Sequence, residues 1–386
     1  MSAPEHVFEP ITSAAFARLM EPFAPHGGRV AVAVSGGADS LALALLLAEW
    51  GGARGVHVSA LTVDHGLREN STAEARTVGG WLAEWGIEQH ILTWGDGPQT
   101  RAGLQSKARD ARYGLMAAWC RAHGVGRLFV AHHQGDQAET FVMRLKRAST
   151  LFGLKAMAPT REVAGMVVCR PLLGVAKADL EATLRARGQA WVDDPSNANR
   201  AFERVRTRAL IAALADEGVT PARLAGAARA AACITDIVDR AADAFEAVAV
   251  RARETGLEID AQAFSDLPPV VRERVLSRLL GRIGGRTYAP SPAKVERLGA
   301  WMAAWTAGAC AEGGAARTLG QCIVRHCEDQ REDRQGEKTF SIVPEGPRKP
   351  FRQAKKAGFF APAPLPRTAK RPTSQATGGV YAHTKC

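Results

Sequence analysis

Two carboxylates three residues apart, Asp136 and Glu139, follow a histidine pair in Ala131-His132-His133-Gln134-Gly135-Asp136-Gln137-Ala138-Glu139-Thr140. On a helix that spacing makes them neighbours on one face, where they repel unless a cation lies between them. A metal ion or an amino group would serve; otherwise the pair is an acid cluster complementing a helix N-terminus. His133 beside them is either a base or a cap. A second group, Ser35-Gly36-Gly37-Ala38-Asp39-Ser40, interrupts an apolar run. Its glycines let a ligand approach the backbone, its serines add hydroxyl donors, and Asp39 either faces a metal ion or caps a helix. The chemistry this set suits is the holding of a phosphate chain.

The flanking residues supply the elements for that task. Val30, Val32 and Val34 read as a strand, and Leu41–Leu47 as a helix, with the glycines between them. Strand, tight turn and helix aim unpaired amides and a positive helix end at one point. The loop is neither the Gly-x-x-x-x-Gly-Lys-Ser/Thr nor the Gly-x-Gly-x-x-Gly type. Further along, Val56–Val63 alternates like a strand and ends at Asp64-His65-Gly66-Leu67-Arg68. There the backbone around Thr62 could read an adenine edge and Asp64 a ribose hydroxyl, unless the stretch is simply a polar turn. Residues 72–86, Gln105–His123 and 136–147 read as helices, and Glu88–Thr93 and Arg127–Ala131 as strands. The expected fold is α/β, a doubly wound parallel sheet with its ligands at the carboxyl ends of the strands.

Lys107, Arg109 and Arg112 share one helix, either as a phosphate contact or as a solvated face. Asp194-Pro195-Ser196-Asn197 precedes the spaced arginines Arg204, Arg206 and Arg208. Thirteen Lys/Arg against six acids lie between Val142 and Arg208. Arginine's fixed fork suits phosphate oxygens, so contacts with RNA or nucleotide are expected there, with exposed helix arginines as the alternative.

At 386 residues and 46% hydrophobic, the chain can bury a core and form two or three domains. Net charge is +11, but the nine Lys/Arg and single acid from Pro344 onward contribute +8 of it. Bulk charge is therefore weak evidence that the folded body grips RNA. Seven scattered cysteines, no secretion-like leader and no 18-residue apolar run lead us to expect a cytoplasmic protein without a membrane partner. Cys322 and Cys327, with His326 between them, form no complete zinc set. Residues 1–215 should form the α/β domain with its connecting region. Residues 216–330 should form a smaller helical domain that is a candidate for tRNA binding, and 344–386 a disordered Pro/Lys/Arg-rich tail.

The hexapeptide Ser35–Ser40 is the signature of the PP-loop, or N-type ATP pyrophosphatase, proteins. With Asp64–Arg68, Lys107–Tyr113, His132–Thr140, Arg170-Pro171-Leu172-Leu173 and the 194–208 segment, residues 28 to about 215 resemble the tRNA(Ile)-lysidine synthetases in order and spacing. The resemblance implies that ATP adenylates O2 of the wobble cytidine of a CAU-anticodon tRNA(Ile), and that the ε-amino group of L-lysine then displaces AMP. It implies ATP at Ser35, Gly36, Gly37, Ala38, Asp39, Ser40, Thr62, Asp64 and Arg112. It places Mg²⁺ at Asp39, lysine at Asp136 and Glu139, and tRNA phosphates at Arg204, Arg206 and Arg208. Asp39, Asp136, Glu139 and His133 become the candidate catalytic residues; the sequence does not fix the oligomeric state, and a homodimer stays open beside a monomer. The chain departs from the family at Gly135, where an aspartate is usual. It also has Lys146-Arg147-Ala148-Ser149 for Arg-Gly-Ser-Gly, and Leu154-Lys155-Ala156-Met157 for Gly-Leu-x-Gly-Met.

A cytidine thiolase of the same superfamily would want a Cys-x-x-Cys, which the sequence lacks. A non-catalytic nucleotide- or RNA-binding protein would not need Asp136 and Glu139 beside a phosphate loop.

Overall fold

The computed structural model describes residues 8–23, 28–64, 71–94, 104–147, 149–192, 203–285, 290–309, 316–328 and 338–346. His65–Arg68, residues 193–197 and everything beyond 346 lie outside the described residues. Two compact units divide at Asp243/Ala244.

The first unit runs α1 (Ser13–Met20), β1 (Arg29–Ala33), α2 (Ala38–Gly52), β2 (His57–Asp64), α3 (Ser71–Glu84), β3 (Glu88–Thr93), α4 (Leu104–Ala122), β4 (Arg127–Phe129) and α5 (Gln134–Lys146). It continues with α6 (Leu151–Leu154), β5 (Thr160–Val163), β6 (Met166–Cys169), α7 (Lys177–Arg185) and α8 (Glu203–Asp216). Helix α9 (Pro221–Ala249) contains the division between the units. The sheet order is β3-β2-β1-β4-β6-β5, parallel except for the β5–β6 pair. Strand order reverses between β1 and β4, so the loops leaving those two strands flank the crevice where open α/β sheets bind ligands. Those loops carry Ser35–Ser40 and His132–Asp136. The expected parallel sheet is present, with the β5–β6 hairpin added to it.

Helix α2 shows why the phosphate loop is rigidly based. Its residues Leu41 through Leu47 are all buried, in one core with Val30 and Val32 of β1 and Phe16 and Met20 of α1. A helix apolar all round belongs inside a protein rather than at its surface. Leu180 and Leu184 of α7 join the same cluster.

The second unit contains β7 (Val250–Arg253), β8 (Gly256–Asp260), α10 (Ala261–Ser265), α11 (Pro269–Gly284), α12 (Pro292–Thr306), β9 (Ala316–Leu319), β10 (Cys322–Glu328) and β11 (Lys338–Pro344). The expected helices are there, but so is a five-stranded antiparallel sheet in the order β7-β8-β11-β10-β9. Residues 250–260 and 316–328, read from sequence as amphipathic helix, are strands. Phe264 and Phe340 are fully buried and meet edge-on there. Cys322 is buried and Cys327 exposed on β10, and strand alternation turns residues five apart to opposite faces. Among the described residues no helix is long and apolar enough to cross a membrane.

Candidate functional site

Between β1 and α2 the chain reverses at Gly36, whose φ is +87°. A Cβ there would stand 2.7 Å from Val78 Cγ2, while the Gly36 carbonyl accepts from the Val192 amide at 2.9 Å. Glycine is therefore required at 36. Gly37 is different: it is the N-cap of α2 with an ordinary extended backbone, so a left-handed conformation is needed at only one glycine of the two. The Ser35 amide donates to Ser40 Oγ at 3.1 Å, and Ser40 Oγ donates to the Gly37 carbonyl at 2.9 Å. The two hydroxyls, 3.2 Å apart, brace the loop; the Ser40 amide turns back to the Gly37 carbonyl at 3.1 Å, which leaves the Ala38 and Asp39 amides as the first-turn donors without an intrahelical carbonyl.

Asp39 lies in that first turn. Its Oδ1 is buried without a hydrogen-bond partner, and Oδ2 lies 3.7 Å from His133 Nε2. Burial pushes its carboxyl above the ordinary aspartate range; His133 and Lys177 oppose this, while Asp136 and Glu181 add to it. Such a carboxylate has lost water without gaining a full partner, which is the condition a bound cation relieves.

Across the crevice His133 caps α5. Its Nδ1 accepts from the Gly135 amide at 2.9 Å, and its own amide donates to Asp136 Oδ2 at 3.1 Å. With Nδ1 accepting, the neutral ring carries its proton on Nε2, which is 3.7 Å from both Asp39 Oδ2 and Asp136 Oδ2. The cap reading is realised in the structure, and the Nε2 edge of the ring faces the two carboxylates. A Cβ on residue 135 would come within 2.7 Å of His133 Cε1, so the departure to Gly135 is what lets the imidazole fold back over the helix end.

A cavity of about 530 Å³, in the range of small-ligand sites, opens over these loops. Ser35, Gly37, Asp39 and Ser40 line it on one side, Thr62 and Asp64 on another, and Arg112, His132, Asp136 and Arg204 on the rest. The Thr62 hydroxyl accepts from Gln89 Nε2 at 2.9 Å, fixing the β2 end. Burial pulls the Arg112 guanidinium below its ordinary range, with Arg109 and Arg204 pushing the same way against Tyr113. A partly dehydrated Arg112, with the exposed Arg204 also lining the cavity, suits an anion.

Sequence reasoning missed three contributors. His132 lines the cavity with a buried, unpartnered Nδ1. Burial drives its pKa down to about 4; Asp136 opposes, and Arg170, Arg109 and Arg204 reinforce, so it is neutral near pH 7. Gln137 clamps the following loop through both amide atoms, donating to the Met157 carbonyl at 2.9 Å and accepting from its amide at 2.8 Å. Arg170 is buried and donates to the Ala158 carbonyl at 2.9 Å. The histidine pair and the Arg170–Leu173 motif were visible in the sequence, but not which side chain faces the cavity.

The arginines of α8 part company. Arg204 reaches the cavity and Arg206 lies on an exposed face. Arg208 Nε donates to Glu139 Oε1 at 2.8 Å. Of the three arginines expected at tRNA phosphates, Arg208 is the one engaged by an internal carboxylate, with its side chain still 54% exposed. Glu139 itself is buried and Oε2 lacks a hydrogen-bond partner. Among the described residues no group of three or more His, Cys, Asp or Glu is set to hold a metal alone.

A PP-loop domain model matches residues 9–214. A tRNA(Ile)-lysidine synthase of Bradyrhizobium sp. (strain BTAi1) is 40% identical, over 83% of this chain and 93% of its own length. The one from Methylobacterium nodulans is 39% identical, over 82% and 93%, and that of Rhodopseudomonas palustris 42%, over 70% and 78%. A solved U34-tRNA thiolase from Methanococcus maripaludis, with its [4Fe-4S] cluster, matches 57% of this chain and 78% of its own at 17% identity and a TM-score of 0.49, too slight a likeness to bear on function. With the phosphate loop, the switch-point crevice and relatives matched over most of their length, the chain belongs to the tRNA(Ile)-lysidine synthase family of PP-loop, ATP-binding proteins.

Proposed function

We propose that the chain ligates L-lysine to C2 of the wobble cytidine in a CAU-anticodon tRNA(Ile), consuming ATP and releasing AMP and diphosphate. The observation that carries this reading is the shared crevice: the phosphate loop and Asp136 line one cavity, and Glu139, with an unpartnered buried oxygen, stands one helical step from Asp136.

The α2 amides and the loop backbone hold the phosphate chain of ATP, and the β2 end at Thr62 and Asp64 receives the nucleoside. Cytidine O2 attacks the α-phosphorus and diphosphate departs. Arg112 and Arg204 stabilise the charge that gathers on the α-phosphate oxygens, an effect strongest in a crevice poor in water. Asp136 and Glu139 bind the lysine ammonium. Asp136, on the cavity side, then takes one of its protons so that the neutral amine attacks C2 and AMP leaves. Asp39 would hold Mg²⁺, and its unpartnered buried oxygen fits that ion. Bound there and shared with phosphate and water, Mg²⁺ would neutralise phosphate charge.

Incubation with ATP, radiolabelled lysine and tRNA transcripts tests this directly. Label should appear at the wobble cytidine, with one AMP formed per lysine. Glu139→Ala should raise the lysine KM about tenfold or more, the worth of a charged hydrogen bond, with a smaller change in the ATP KM. A selective loss of ATP affinity would instead make Glu139 part of the nucleotide site.

A further inference from the structure

We infer that Arg208 is a positioning residue for the amine site: it pins one oxygen of Glu139 so that the other faces the incoming ammonium. The inference rests on the assignment of Glu139 to lysine.

Glu139 is 4% exposed at its side chain, on the face of α5 that packs against α8. Its two oxygens are treated differently. Oε1 accepts the Arg208 Nε–H at 2.8 Å, and Oε2 is buried with no hydrogen-bond partner. A buried carboxylate is costly unless its lone pairs are satisfied, so Oε2 is the incomplete half of a site whose other half Arg208 completes.

Helix geometry explains why this arginine does it. Arg204 and Arg208 are four apart and share a face of α8. Arg204 meets the cavity, and Arg208, one turn on, meets Glu139. Thr207 between them is fully buried and anchors that part of α8, as Ile211 does one turn further on. The Arg208 side chain remains 54% exposed, so the charge keeps part of its hydration while Nε alone reaches inward. Fixing the carboxylate in one rotamer before the amine arrives removes an ordering cost from lysine binding.

The test uses the full-length protein with Arg208→Ala and Arg208→Lys, and Glu139→Gln beside them. The measurements are lysine KM and kcat, the rate of tRNA adenylation without lysine, and tRNA affinity across a salt series. Arg208→Ala should raise the lysine KM about tenfold, in keeping with the loss of a charged hydrogen bond. Adenylation, tRNA affinity and salt slope should stay at wild-type values, and Arg208→Lys should recover part of the lysine KM. The inference is overturned if Arg208→Ala leaves the lysine KM unchanged and instead weakens tRNA binding, with a salt slope shallower by about 1, the behaviour of a phosphate contact. It is equally overturned if Arg208→Lys behaves like Arg208→Ala in every measurement. Should Glu139→Gln leave the lysine KM unmoved, the assignment of Glu139 itself fails. A raised KM in Glu139→Gln with none in Arg208→Ala fails the positioning role alone.

Discussion

Asp39 concentrates the conflict between folding and function. Its Oδ1 is buried without a hydrogen-bond partner, though the side chain stays 29% exposed, and the nearest imidazole nitrogen is 3.7 Å from Oδ2. Because burial raises its pKa in the folded state, the native protein binds that proton more tightly than the unfolded chain does. The ionised form therefore costs stability at neutral pH. That cost shrinks as pH falls through the raised pKa, and it is gone below the unfolded value of 3.8. Asp39→Asn should melt a few degrees higher than wild type at pH 7, with the gap closing as the pH approaches 3.8. The same variant should form no AMP. Calorimetry across the pH series, paired with an AMP assay, checks both halves; a lower Tm at pH 7 would contradict the argument. The identity of Asp39 was legible from its six-residue setting. Its lack of a partner was not, because that depends on His133 and Lys177, which are distant in sequence.

At the scale of elements, local patterns were read well and distant pairings were not. Strand β3 falls on Glu88–Thr93 as expected, since its turn residues and short apolar alternation are contiguous. The hairpin β5–β6 escaped notice because its two-residue turn, Ala164-Gly165, lacks the usual Asn-Gly signal. Both residues have positive φ, 50° and 83°, the requirement of a type I′ turn. An alanine held there costs about 1–2 kcal/mol. Ala164 is exposed, so Ala164→Asn should stabilise the protein by about 0.5–1 kcal/mol by denaturant titration. Ala156 has a similar φ of 51°, but its methyl is buried. For Ala156→Gly, the strain relieved is offset by about 0.8 kcal/mol of lost burial and 0.5–1 kcal/mol of backbone entropy, for a net near zero. Equal gains at both sites would contradict that accounting. The Arg208–Glu139 pair spans 69 residues, and no local spacing announces it.

For the whole molecule, the phosphate loop fixed the class of the first unit because strand, turn and helix are adjacent in sequence there. The second unit was harder. Its strand β8, at 256–260, pairs with β11, at 338–344, and strands of five to seven residues owe their stability to such partners rather than to their own patterns. Alanine- and arginine-rich helices on either side hid them. We propose that ATP lies, within the first unit, at the reversal of strand order between β1 and β4, with its phosphates on α2. The most direct measurement is a crystal structure of the full chain with an ATP analogue that cannot be cleaved between the α- and β-phosphates. Phosphates are expected against the amides of residues 36–39, the α-phosphate toward Arg112 and Arg204, and adenine at the Thr62–Asp64 strand end. A nucleotide seated away from the β1–α2 loop, or one whose γ-phosphate alone faces Asp136, would contradict it.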